Sequence, residues 1–303
     1  VQSPVEGSAQ FEGQFRWYEG GGDSHGRIAI PNLDFTSPAG KVSGLRGTVE
    51  LTSLAPLTAD KGQRLWIDKL DTVVPLTDLD VNFSLEDQWL KLEGGTINAA
   101  GGRISIEPFD VPLNDTTPWN GVIVVHQIQL NDLLKSANLA DKAFLDAVVS
   151  GRLPFRFIPG EGWKIIGGQL GSVRPGRLSI LPEVFDELGA GGGTEASEAL
   201  PPNTMQDLAY QAMQDLAISD LTADVNSLEN GRLGVRFRIN GRHDPPQREQ
   251  LRLTFMELIR RDFLNKKLNL PSNTPIDLTL DTTWNANQIA SDLMDYVRRG
   301  DKP

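Results

Sequence analysis

Strict alternation of apolar and polar residues, broken by glycine-rich turns, constrains this chain more than any other feature. Leu233, Val235, Phe237 and Ile239 alternate with Gly234, Arg236, Arg238 and Asn240. The same period holds Val81, Phe83 and Leu85 against Asn82, Ser84 and Glu86, and then Leu90 and Leu92. A period of two gives a strand one apolar and one wet face. One phrase comes almost twice, as GGTINAAGGRISI at 94–106 and GGQLGSVRPGRLSI at 167–180. Each copy carries an apolar residue (Ile97 or Leu170), a glycine-containing turn and a closing Gly-Arg-Ile/Leu-Ser-Ile. Alternation on both sides of such a turn predicts an antiparallel hairpin in each copy. Repetition predicts growth by addition of similar strand units. Gly102-Arg103 and Gly176-Arg177 read as turn markers here, not as a phosphate motif.

The rest of the chain follows the same grammar. Residues 1–25 are polar and glycine-rich, with at most one short strand near Phe15–Tyr18. Strand patterns run from 26 to 185: Ile28 and Ile30, Val49 and Leu51, Leu65 and Ile67, then Ile104 and Ile106. Val122–Val125 is apolar on both faces, and Leu153, Phe155 and Phe157 lead toward Leu178 and Ile180. Residues 186–203 read as a flexible linker. From 204 to 303 a helix at 204–217 precedes strands with Leu221, Val225, Leu233–Ile239, Leu253 and Phe255, and Leu278 and Leu280. Further helices are expected at 131–148, 257–267 and the C-terminal end, the first capped by Asn131 or Asp132.

Bulk composition narrows the function classes. Thirty glycines with 19 prolines favour many strands and turns. A net charge of −11 repels phosphate backbones and disfavours nucleic acid as a partner. The absence of cysteine excludes disulfides, thiolate metal sites and cysteine nucleophiles. No apolar run is long enough for a membrane-spanning helix. A start at Val1 without methionine reads as a processed or excised chain, with any anchor outside it.

Catalytic signatures are missing. His25, His126 and His243 show no ligand spacing, so no metal or cofactor is expected. Asp68/Asp71 and Asp78/Asp80 have the form of carboxylate pairs, but turn acids on an acidic protein are far more often solvated. No nucleophile elbow or phosphate loop occurs, and no enzymatic activity is expected.

Some 12 to 15 strands against three or four helices leave more apolar face than helices can cover. The faces must then meet in a sandwich, a barrel or a lengthwise curl. At about 4.8 Å per strand, one meander of this size extends roughly 60–70 Å. Residues such as Phe83, Leu92, Phe155 and Phe237 look the same in a dry core and in an apolar groove, and on residues alone the dry core is preferred.

The run PAGKVSGLRGTVELTSLAPLTADKGQRLWIDKLDTVVPLTDLDVNFSL (38–85) resembles the C-terminal region of the YdbH family. LEGGTINAAGGRISIEPFDVPLN, VSGRLPFRFIPGEGWKIIGGQLGSVRPGRLSI and MQDLAYQAMQDLAISDLTADVNSLENGRLGVRFRINGR continue the match in order, over about residues 28–280. This family belongs to the AsmA-like superfamily with TamB and YhdP. The resemblance implies a mainly β fold: a long antiparallel sheet curled into a U-shaped, taco-like apolar groove with a few short helices. It implies phospholipid transfer between inner and outer membranes across the Gram-negative periplasm, and reverses the preference for a dry core. It implies a YnbE-like small outer-membrane lipoprotein joining the C-terminal end by β-strand addition, with 232–240 and 275–284 as the expected edges. The groove candidates are then Phe83, Leu85, Leu90, Leu92, Ile104, Ile106, Val122, Val124, Phe155, Phe157, Leu178, Ile180, Leu233, Val235, Phe237, Ile239, Leu253, Phe255, Leu278 and Leu280. The alternative is a protein-interaction or carbohydrate-binding β module with an ordinary dry core.

Overall fold

The computed structural model describes residues 5–37, 40–72, 74–114, 116–136, 140, 143–180, 211–229, 232–246 and 270–285. The first half holds strands β1 (Glu6–Tyr18), β2 (Gly21–Ser37), β3 (Gly40–Leu51), β4 (Ser53–Leu54), β5 (Leu57–Asp71), β6 (Leu76–Glu86), β7 (Trp89–Ala99), β8 (Gly102–Ile106) and β9 (Phe109–Pro112). Then come β10 (Trp119–Gln129), helix α1 (Leu130–Ser136), β11 (Ala143–Asp146), β12 (Val148–Ile158), β13 (Gly162–Ile165), β14 (Gly168–Ser172) and β15 (Gly176–Ile180). β16 (Leu216–Ser227), β17 (Arg232–His243) and β18 (Pro275–Asn285) complete the described elements. The expected linker, the 257–267 and C-terminal helices, and the strand with Leu253 and Phe255 lie outside the described residues.

Antiparallel pairing carries the order β1–β2–β3–β5–β6–β7 and then β7–β8–β10–β12. It continues β12–β14–β16–β17–β18. This is a meander, and among the described residues no ladder joins β1 to β18. The sheet is open.

That finding corrects the expected U-shaped, taco-like groove. Buried apolar residues do not line one continuous trough; they gather in two separate clusters. One joins Val49, Leu51, Ala59 and Phe83. The other joins Val125, Val149, Leu178, Ile180, Leu216, Ile218, Leu221, Ile239 and Leu278, with Met213 from a helical turn at 211–214 and Leu130 and Leu133 of α1 packed on it. Short helical pieces cover one stretch of the apolar face, and the side chains beneath them are dry.

The doubled phrase takes two different forms. In the first copy β7 and β8 pair as a hairpin, Ile97 opposite Ile104 and Ala99 opposite Gly102. In the second copy β14 and β15 do not pair with each other. Both lie along β16, Gly168 opposite Val225 and Leu178 opposite Leu216, as one strand line with a jog at 173–175. Pro175 lacks the N–H that an uninterrupted ladder needs.

Two further expectations change. Helix at 131–148 shrinks to α1, because Phe144 and Leu145 pair in β11 with Ser179 and Leu178. The glycine-rich start forms a long hairpin, with Trp17 opposite Gly22 and Gly13 opposite Gly26. A Cβ on Gly22 would stand 3.1 Å from the Trp17 ring, so glycine makes room for the aromatic side chain.

Candidate functional site

Register places most of the candidate apolar residues on one face. Phe83 faces Leu92, Leu85 faces Leu90, and Ile104 and Ile106 face Val125 and Ile123. Phe155 and Phe157 stand opposite Gly121 and Trp119. Leu178 meets Leu145 and Leu216, and Ile180 meets Ala143. Leu233, Val235, Phe237 and Ile239 stand opposite Ser227, Val225, Ala223 and Leu221, and Leu278 and Leu280 continue that face beside Ile239 and Phe237.

Val122 and Val124 fall on the other face, opposite Pro154 and Arg152. Their neighbours Ile123 and Val125 take the apolar side. Of the set, Phe83, Phe155, Leu178, Ile180, Ile239 and Leu278 are buried in the fold itself. A cavity of about 860 Å³ and another of about 270 Å³ are lined mainly by polar side chains and by none of the candidates. Transfer of lipid along a hydrophobic β groove is therefore not carried by this structure. The ordinary dry core of the alternative reading fits it better.

Aromatic rings form the densest local packing. Trp119 stacks on Phe109 at 5.4 Å between ring centres and meets Phe155, Phe157 and Trp163 at 5.6, 5.5 and 4.9 Å. Edge-to-face pairs at such distances add stability beyond burial alone.

The wet face is laced with cross-strand ion pairs. Arg64 grips Asp80 through Nε at 2.7 Å and through a second guanidinium nitrogen. That bond holds Asp80 below the usual carboxylate range, against a smaller desolvation effect. Lys91 likewise lowers Glu86 through a direct bond. Asp68 pairs with Arg46 and Asp71 with Lys69. The acids that resembled catalytic pairs are thus engaged by bases or, at Asp78, by Thr77 and Asn98.

The ends of the ladder differ from its middle. β17, expected as an edge, lies between β16 and β18. All eleven register pairs of β18 go to β17. At the opposite end every residue of β1 is exposed, and Phe11, Phe15, Trp17 and Tyr18 stand in solvent, Trp17 at 81%. Sequence reasoning missed this aromatic strand. Its signal was the odd-numbered series Phe11, Gly13, Phe15 and Trp17, interrupted by glycine.

Among the described residues no group of three or more His, Cys, Asp and Glu is placed to hold a metal ion. No described helix is long and apolar enough to cross a membrane. Residues 2–280 match the family model described as YdbH-like, intermembrane phospholipid transport protein YdbH. No curated protein and no solved structure matches the chain. The family's work is transport, not catalysis.

Proposed function

The chain belongs to the YdbH-like family, and from that premise we propose that it is a strand-docking β module in phospholipid movement between two membranes. A small outer-membrane lipoprotein adds a strand at β18, in the periplasm of a Gram-negative envelope. The observation that carries this reading is the open ladder that closes on β18, whose described pairs all run to β17. A terminal strand directs half of its backbone N–H and C=O groups away from its neighbour, and strand addition uses them. Eleven residues extend about 36 Å at roughly 3.3 Å each, enough for a specific ladder.

Side chains of β18 set the partner's pattern. Ile276, Leu278 and Leu280 alternate with Asp277, Thr279 and Asp281. Asp281 is already held by Arg236 at 2.7 Å. A partner strand with apolar residues opposite Leu278 and Leu280 and a basic one opposite Asp277 fits best.

Proline removes a backbone donor. Alternate residues of an antiparallel strand direct their N–H groups to opposite sides, so either Thr279→Pro or Leu280→Pro strikes the outer side. That variant is expected to lose capture by the immobilised lipoprotein while keeping its circular dichroism. Gln14→Pro in β1 is expected to leave capture intact. Undiminished capture by both β18 variants, or loss only with Gln14→Pro, overturns the reading.

A further inference from the structure

Two bulges and one tight corner converge on one row of the wet face. At β6 the register slips between Thr77 and Asp80, and Asp78 takes a φ of 54°. At β10 it slips between Val125 and Ile128, and Gln127 takes a φ of 52°. Between these bulges, the β7–β8 corner turns through Ala100 and Gly101 at φ 42° and 69°. A Cβ on Gly102 would collide with the carbonyl oxygens of His126 and Gln127, so the corner and the bulged β10 are fitted to each other. Bulges re-aim side chains, and strained backbone of this kind gathers at functional sites.

The row that results is Thr77, Asn98, Arg103 and His126, each opposite the next across four strands. It borders the cavity of about 860 Å³. Asn98, Arg103 and Thr96 also line the adjoining one of about 270 Å³, with Asp78. Ser105 Oγ and His126 Nε2 share a hydrogen bond of 2.8 Å at the wall.

Two charged side chains of this basin meet no opposite charge among the described residues. Arg46, Arg64, Arg152, Arg174, Arg236 and Arg238 each meet a carboxylate. Arg103 meets none among the described residues; its Nε points at Asn98 Oδ1, 3.5 Å away. Asp78 has no cationic partner among the described residues either, and accepts from Asn98 Nδ2 at 3.0 Å and Thr77 Oγ1 at 3.1 Å. Asn98 stands between an unneutralised cation and an unneutralised anion.

We propose that this basin binds a zwitterionic phosphate ester of the phosphoethanolamine type. Its phosphate meets Arg103, Ser105 and His126, and its ammonium meets Asp78. Guanidinium–phosphate bonds are charge-assisted and directional, and a ligand bearing both charges satisfies both free groups. A site for this ligand departs from the turn-marker reading of Gly102-Arg103, and it is independent of strand addition at β18.

Calorimetric titration with O-phosphoethanolamine, inorganic phosphate and ethanolamine tests it. Phosphoethanolamine is expected to bind best. Arg103→Gln and Asp78→Asn are each expected to weaken it at least about tenfold, and Arg103→Lys less. Thermal melting confirms that each variant is folded. On phosphoethanolamine addition, the His126 ring resonances are expected to shift and those of Trp17 to stay.

Co-sedimentation with phosphatidylethanolamine vesicles, against phosphatidylglycerol vesicles, separates the sources. Recruitment marks a lipid headgroup as the ligand, and binding of the soluble ester alone marks a free one. Absence of phosphoethanolamine binding overturns the proposal. So does equal binding of inorganic phosphate with no effect of Asp78→Asn.

Discussion

Arg64 of β5 reaches diagonally to Asp80 of β6, the residue opposite Trp66, in a two-pronged ion pair, and its guanidinium also lies 4.7 Å from the centre of the Trp66 ring. One arginine thus joins a carboxylate on the next strand to an aromatic ring on its own strand. Sheets gain stability from such cross-strand pairs.

The pair has a pH signature. Asp80 is held below its ordinary range in the fold by the Arg64 bond, so its contribution is complete above the unfolded carboxylate value of about 3.9. It fades as the pH falls through the lower folded value. Denaturant titrations of the protein and of Asp80→Asn are expected to differ by a constant amount from pH 5 to 7 and to converge in strong acid. A gap that persists in strong acid contradicts this.

Burial decides the cost of truncation. Leu216 is fully buried, and Leu216→Ala is expected to cost about 2–5 kcal/mol. Leu57 is 41% exposed, and Leu57→Ala is expected to stay within about 0.5 kcal/mol. Denaturant midpoints measure both.

A dry core makes a further demand at Phe83 and Ile239, both buried apolar residues. Phe83→Asp and Ile239→Asp place an unpaired carboxylate among apolar neighbours, and both are expected to abolish the cooperative melt at neutral pH. In a water-lined trough either change would leave the protein folded, so a normal melt refutes the dry core.

Glycine matters unequally within the doubled phrase. Gly102→Ala drives a methyl group into the bulged β10 backbone and is expected to cost about 1–3 kcal/mol. At Gly171 an added Cβ meets nothing nearer than the Leu221 oxygen at 3.9 Å, and Gly171→Ala is expected to be neutral within about 0.5 kcal/mol. Thermal melts of the two variants distinguish them.

Strand identity was legible in the sequence because alternation is local. Leu233–Ile239 and Val81–Leu85 lie in strands where their period indicated. Neighbours were not legible. The second glycine phrase resembles the first, yet Gly168 pairs with Val225 and Leu178 with Leu216, partners some 40 to 60 residues away. Leu145 and Phe144 had helical spacing and were claimed by β15. Val122 and Val124 belonged to an apolar run that gave no facing. Whether an apolar face is wet or dry depends on what covers it, and Met213 and Leu133 do that from positions no strand pattern points to. The contact of Asn98 with Asp78 was illegible for a similar reason, since Asp78 sits in a bulge of β6 that alternation does not reveal.

The meander described above also dictates how the molecule comes apart. In its backbone ladders each strand line pairs only with the lines before and after it, as the repeats of a solenoid do, so nearest-neighbour terms carry much of the stability. Opening should begin at the poorly buried β1–β2 end and travel inward, so that hydrogen exchange grades along the sheet toward β16. A chain built this way lengthens by inserting a pair of strands and leaves distant pairings undisturbed.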